Sequence, residues 1–159
     1  MTIPDYRWGR EGSLLSRVGS KFASTKPGSW TIRKLMPLDR KLLLRTRGRR
    51  TLLGPIGAPT LVLETIGRKS GQPRLSPLLF AREDDDSVIV VGSNFGQQHH
   101  PAWTGNLLAN PRARVVAELL TGAEAGAGWQ KMVDVTPVYA SYKTRTDREI
   151  RVFRLTPTS

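Results

Sequence analysis

Arg68, Lys69 and Arg74 are the residues best suited to chemistry, and they lie in one stretch, Gly67-Arg68-Lys69-Ser70-Gly71-Gln72-Pro73-Arg74. Three fixed cations and two glycines share that short connection. Thr60-Leu61-Val62-Leu63-Glu64-Thr65-Ile66 precedes it and Leu75-Ser76-Pro77-Leu78-Leu79-Phe80 follows it. Both flanks read as strands from their β-branched and aliphatic content, so the connection is a hairpin tip. Such a tip makes a rigid pocket for an anion, and Gly67 and Gly71 let the backbone approach a ligand closely. The competing reading is a solvated tip that binds nothing.

Other candidate chemistry is thin. His99 and His100 are adjacent, point in different directions and cannot chelate one metal, so no metal site is expected. Glu83-Asp84-Asp85-Asp86 lacks the spacing of a calcium loop and reads as a solvated turn. The chain has no cysteine, which excludes disulfides, thiolate zinc sites, iron–sulfur clusters and thiol nucleophiles, and fits a reducing cytosol. No nucleophile–base–acid triad pattern stands out.

The elements that must position the tip follow from pattern and charge. With 159 residues the chain is long enough for one well-filled core. Residues 1–50 hold 13 Lys/Arg and 3 Asp/Glu, a net +10 of the total +12, so the remainder, 51–159, is nearly neutral. We expect a basic arm over 1–50 and a separate body over 51–159. The arm begins as an irregular lead-in to about residue 30. A basic amphipathic helix then runs over Ile32–Leu44, broken near Pro37. Leu42-Leu43-Leu44 among cations suits a membrane surface, and packing on the body is the alternative. No groove-reading motif supports nucleic acid. Residues 1–20 contain no apolar signal core and no run reaches membrane-span length, so a cytoplasmic protein is expected, free or peripheral on the inner face of the cell membrane.

In the body, strands are expected over Thr60–Ile66, Leu75–Arg82, Ser87–Ser93, Arg112–Leu120 and Glu149–Leu155. The apolar run at Ser87–Ser93 reads as buried on both faces. Helices are expected over Pro101–Ala109, after a capping box at Thr121-Gly122-Ala123-Glu124, and over Val138–Thr146. Trp129, Met132 and Val133 supply the apolar face of the second. This order argues for an α+β protein, mainly β with helical insertions. It is built as an antiparallel barrel rather than a doubly wound sheet.

Three ordered segments, TIGRKSGQPRLSPLLF, VVGSNFGQQHHPAWTGNLLANP and YASYKTRTDREIRVFRLTP, resemble the nitroreductase-type deazaflavin-dependent oxidoreductases that bind coenzyme F420. The resemblance covers about Thr60 to Pro157 and implies a split β-barrel. It implies that Arg68, Lys69, Ser70, Gly71 and Arg74 hold the phosphate and glutamates of the cofactor tail. Pro77, Leu79, Gly92, Ser93, Asn94, Trp103 and Asn106 would surround the deazaflavin, with Gly92 leaving room for the ring. Ser93, Tyr139 and Tyr142 would orient a quinone, a nitro compound or another electron-poor acceptor, a membrane quinone included. Thr136 stands where some members carry a further tyrosine. Relative to the family, the chain is about ten residues short after Val116, which points to a barrel lacking one strand and an open edge. The alternatives are the same barrel holding FMN or a haem-type ligand, and a non-enzymatic basic protein of the membrane surface. The assembly is expected to be a monomer or a homodimer.

Overall fold

The computed structural model describes residues 14–46, 50, 59–83, 85–111 and 115–158. The expected irregular lead-in is instead helical from Leu14. Helix α1 (Leu14–Ala23) is followed by α2 (Lys26–Arg45); residues 1–13 lie outside the described residues. Thr25 makes the corner: its hydroxyl donates to Phe22 O at 2.7 Å and accepts from the Gly28 N–H at 3.0 Å. The expected break at Pro37 does not occur, because α2 runs through it. An interior proline costs about 3 kcal/mol. Burial of one face offsets that cost: Ile32 packs on the core, Asp39 and Leu43 are buried, and Met36 lies in register with them. Leu43 therefore points inward and Leu42 is half-buried, which corrects the reading of residues 42–44 as an outward apolar run. The side chain of Leu44 lies outside what is described.

The expected hairpin forms. Strands β1 (Thr60–Ile66) and β2 (Pro73–Leu79) pair antiparallel, with Thr60 opposite Leu79 and Ile66 opposite Pro73. Phe80, fully buried, passes the chain from β2 into the short β3 (Ala81–Arg82) of a second sheet. That sheet has the order β3-β4-β6-β5, with β4 at Val88–Val91, β5 at Val115–Leu120 and β6 at Val152–Pro157. All its pairs are antiparallel. Residues 112–114 of the expected fifth strand lie outside the described residues.

β4 is buried on both faces, as its apolar run predicts. Ile89 and Val91 meet one cluster with Met132, Val138, Tyr139 and Tyr142; Val88 and Val90 meet another with Leu61, Phe80, Trp103 and Phe153. Helix α3 (Ala102–Ala109) covers the second cluster, and α4 (Gly122–Val135) and α5 (Val138–Lys143) cover the first. The protein is thus α+β, but its antiparallel strands form two sheets and close no barrel among the described residues. β5 ends the second sheet and passes into α4 through Thr121 alone. Among the described residues no strand pairs with its outer side, the place of the expected open edge.

Two local expectations are corrected. The capping box does not form: Thr121 takes the N-cap position without a side-chain cap, and Glu124 instead lies 3.6 Å from the Arg154 guanidinium. Glu83 is no solvated turn residue. It is 13% exposed, and it accepts from Lys131 Nζ at 2.8 Å and Arg154 Nε at 2.7 Å. Burial alone would raise its carboxyl, but hydrogen bonds from Arg154, Lys131 and Ser87 hold it below the usual carboxylate range.

Candidate functional site

The hairpin tip closes on itself. The Gly67 N–H donates to Gln72 O at 2.9 Å, and the Gly71 N–H donates to Gly67 O at 2.7 Å. Gly71 has φ +64°, which only glycine adopts cheaply. Ser70 Oγ accepts from the Gln72 N–H at 3.4 Å and from Arg74 Nη2 at 3.5 Å. Arg68, Lys69 and Arg74 are exposed, and among the described residues no carboxylate pairs with any of them. The Arg68 guanidinium lies over α3, where a Cβ on Gly105 would stand 3.0 Å from its Nη1. Three neighbouring cations with open hydrogen-bonding edges are suited to receive an anion.

A cavity of about 730 Å³ lies further along β2. That volume falls within the usual range for small-molecule sites. Pro77 and Leu79 of β2, Ser93 and Asn94 after β4, Trp103 of α3, and Tyr139 and Tyr142 of α5 all line it. The remaining predicted residues do not. Arg68, Lys69, Ser70, Gly71 and Arg74 stay at the tip, and Arg74 precedes Pro77 by about 10 Å of extended strand. A ligand with a flat ring in the cavity and an anionic tail along β2 spans both.

Gly92 and Asn106 have other work. A Cβ on Gly92 would sit 2.6 Å from the Thr104 methyl, so the missing side chain makes room for α3 rather than for a ring. Asn106 is buried and uses both ends of its amide: Oδ1 accepts from the Arg68 N–H at 3.1 Å, and Nδ2 donates to Thr65 Oγ1 at 3.0 Å. It fastens the hairpin to α3.

Tyr139 and Tyr142 are both buried, with ring centroids 5.7 Å apart. Burial pushes the Tyr139 phenol far above its ordinary value, with Tyr142 adding to the effect. Burial also pushes the Tyr142 phenol up, to about 12, although the Arg145 charge and a hydrogen bond with Ser29 oppose it. Both phenols are therefore protonated hydrogen-bond donors at neutral pH. Thr136, beside them on the cavity wall, carries the single buried side-chain oxygen without a partner among the described residues.

Sequence reasoning missed two parts of the site. α2 supplies Ile32, Met36, Pro37, Asp39, Arg40 and Lys41 to the cavity wall. The signal was Asp39, a lone acid in a basic helix, which is buried. Arg145 docks this helical pair, donating from Nη1 to Ser29 Oγ at 2.8 Å and from Nη2 to Ser24 O, with its guanidinium over the Tyr142 ring. The second omission is Arg148, whose guanidinium reaches four groups in residues 92–100. Those residues include a left-handed run at Asn94, Phe95 and Gly96, with φ of 47°, 56° and 74°. Each non-glycine there costs about 1–2 kcal/mol.

The chain is similar to known proteins over most of its length. Residues 52–157 match the family model of the F420H(2)-dependent quinone reductases. A Mycobacterium tuberculosis protein named F420H(2)-dependent quinone reductase is 33% identical over 135 residues, covering 77% of this chain and 90% of its own. A second protein of that organism, provisionally given the same name, is 37% identical over 108 residues, covering 62% and 90%. The solved F420-H2 dependent reductase FDR-A is 34% identical with a TM-score of 0.55, covering 60% of this chain and 92% of its own. A solved domain-swapped dimer is 30% identical with a TM-score of 0.57, covering 82% and 99%. By the extent of the family match, this chain belongs to the F420H(2)-dependent quinone reductase family.

Proposed function

We propose that the protein is an oxidoreductase that reduces a quinone with F420H2, holding the cofactor tail at Arg68, Lys69 and Arg74 and its ring in the cavity. One observation carries this reading: three cations that pair with no carboxylate among the described residues sit at the hairpin tip and the start of β2, the strand that leads to a mostly apolar cavity. When bound, reduced F420 supplies a hydride, and a quinone that takes it with one proton becomes a quinol. The Ser70 hydroxyl adds a donor for the tail, and the missing side chain of Gly71 leaves open space beside it. Pro77, Leu79 and Trp103 give flat apolar contact for a ring, and Ser93 and Asn94 lie at its edge. Tyr139 and Tyr142, as protonated phenols, donate to the acceptor oxygen as negative charge grows on it. The two sheets correspond to a split barrel left open at β5, and 1–50 and 51–159 act as arm and body.

The test is anaerobic oxidation of F420H2 by menadione. The wild type should turn over, and Tyr139→Phe with Tyr142→Phe should lower kcat by about tenfold or more at unchanged F420 affinity. A wild type that neither binds F420 nor oxidises F420H2 rejects the reading.

The acceptor is best read as a lipid-soluble quinone met at a membrane surface. No helix among the described residues is long and apolar enough to cross a membrane. Yet Leu14, Val18 and Phe22 of α1 are 80%, 64% and 49% exposed along one stripe, and Trp30 and Leu38 of α2 are 55% and 57% exposed. Trp30, Lys34, Leu38, Lys41 and Arg45 share the outer face of α2, with Lys34 over the Trp30 ring. The helical pair carries eight cations against Asp39, which is buried. Lys41 belongs both to this face and to the cavity wall, so the cavity opens beside it. Anionic phosphatidylglycerol vesicles should sediment the protein and zwitterionic vesicles should not. Trp30→Ala with Leu38→Ala should weaken binding by about tenfold or more. Binding to neither vesicle type removes membrane contact and leaves a second copy to occupy the face; equal binding to both keeps the contact and removes the role of the cations in it.

A further inference from the structure

The residues after β4 are held by a side chain that the reduction chemistry does not itself require. Arg148 donates from Nε to Gln97 O at 2.8 Å, and from Nη2 to Gly92 O at 3.0 Å and Ser93 O at 2.7 Å. Its Nη1 lies 3.0 Å from His100 Nδ1. All four partners are neutral acceptors, and among the described residues no carboxylate pairs with this guanidinium. The segment it grips contains the left-handed run at Asn94, Phe95 and Gly96. Ser93, Asn94 and Phe95 line the cavity. Thr146 reinforces the grip, donating from Oγ1 to Gln98 Oε1 at 3.0 Å. A backbone conformation that is costly on its own is thus held in place at two cavity residues, Asn94 and Phe95, by contacts from outside the segment.

The fourth contact carries a condition. His100 Nδ1 accepts from Arg148 only while it holds a free lone pair, with the ring proton on Nε2. Protonation there would set one N–H against another. The charged groups facing this imidazole are Arg148, Arg151 and Glu149. Burial, then Arg151, then Arg148 hold it below its ordinary value, and Glu149 opposes them. The neutral ring is therefore the folded protein's preferred form. The grip is complete above the ordinary histidine value of about 6.5. It is lost as pH falls through the lowered folded value, where His100 takes up its proton.

We propose that Arg148 is a positioning residue for the reductase site, fixing Ser93 and Asn94 against the cavity through a grip that loosens when His100 is protonated. This rests on the reading of the cavity as the site of quinone reduction. A cation is needed because carbonyl oxygens from several directions must be drawn to one centre. Guanidinium is needed because its fixed fork supplies several donors at once, which a lysine ammonium does not reproduce in this geometry.

The experiment compares wild type, Arg148→Lys and His100→Asn in anaerobic menadione reduction by F420H2 from pH 5 to 8. F420 affinity and hydrogen exchange over residues 92–98 are measured alongside. Arg148→Lys should lower kcat by about tenfold, change F420 affinity by less than about threefold, and speed amide exchange in that segment. His100→Asn presents an amide oxygen near the Nδ1 position at every pH, so the acid limb of the wild-type profile should vanish. An Arg148→Lys variant with wild-type kcat and exchange overturns the proposal. So does an acid limb that stays in place in His100→Asn. If Arg148→Lys does not fold, the His100→Asn profile decides. If the wild type lacks F420 chemistry, the reading of the site fails separately. Exchange over residues 92–98 then still decides the grip: no acceleration in Arg148→Lys or at acid pH refutes it.

Discussion

The two glycine-bearing connections that bound the site are built in opposite ways. The tip between β1 and β2 is closed by its own backbone, Gly67 to Gln72 and Gly71 to Gly67, and leaves its cations outward. The segment after β4 takes its shape from Arg148, which stands 51 residues beyond Gln97 and 56 beyond Gly92. The tip is exposed and local, whereas Ser93 and Gly96 are buried and depend on the assembled fold. Charge changes at the tip should therefore alter binding with little effect on folding. Changes after β4 should alter cavity shape and stability together.

The largest expected effect is on binding alone. Reversing Arg68, Lys69 and Arg74 together to Glu should weaken F420 binding by about a hundredfold or more, since charge-assisted bonds are worth about 1.5–3 kcal/mol each. The melting temperature should move little, and a binding titration beside a thermal scan checks both. Gly92→Ala comes next and should act on stability. Its Cβ would stand 2.6 Å from the Thr104 methyl, an overpacking that costs about 1–3 kcal/mol by denaturant titration. An unchanged midpoint would mean that α3 gives way there. Smallest is Gly71→Ala, for which no atom lies within 4 Å and the whole penalty is the φ of +64°. It should cost about 1 kcal/mol and leave the midpoint of the turnover pH profile unmoved.

The same contrast explains what the sequence made legible. The tip, the hairpin, the doubly buried β4 and α3 after Pro101 follow from local pattern; β1, β4 and α3 form within a residue or two of their expected bounds, whereas the strand expected over Leu75–Arg82 divides at Phe80 between two sheets. Pro77, Leu79, Ser93, Asn94, Trp103, Tyr139 and Tyr142 also converge on the cavity, but the resemblance named them, and spacing alone did not. Long-range packing hid the rest. Nothing near Gly92 announces Thr104, and nothing near Asn106 announces Thr65 and the Arg68 backbone. The capping box does not form, and Glu124 lies 3.6 Å from Arg154 on β6, a neighbour that the local sequence does not announce. α2 runs through Pro37 because its inner face is buried, a fact that local propensity does not contain.

The central claim is that the exposed cations grip the tail while the cavity holds the ring. One double cycle tests it directly: anaerobic binding of F420 and of a deazaflavin lacking the phosphate and glutamates, each to wild type and to the protein with Glu at 68, 69 and 74. Loss of the tail should cost the wild type about a hundredfold and the variant almost nothing. Equal losses in both proteins would contradict the account.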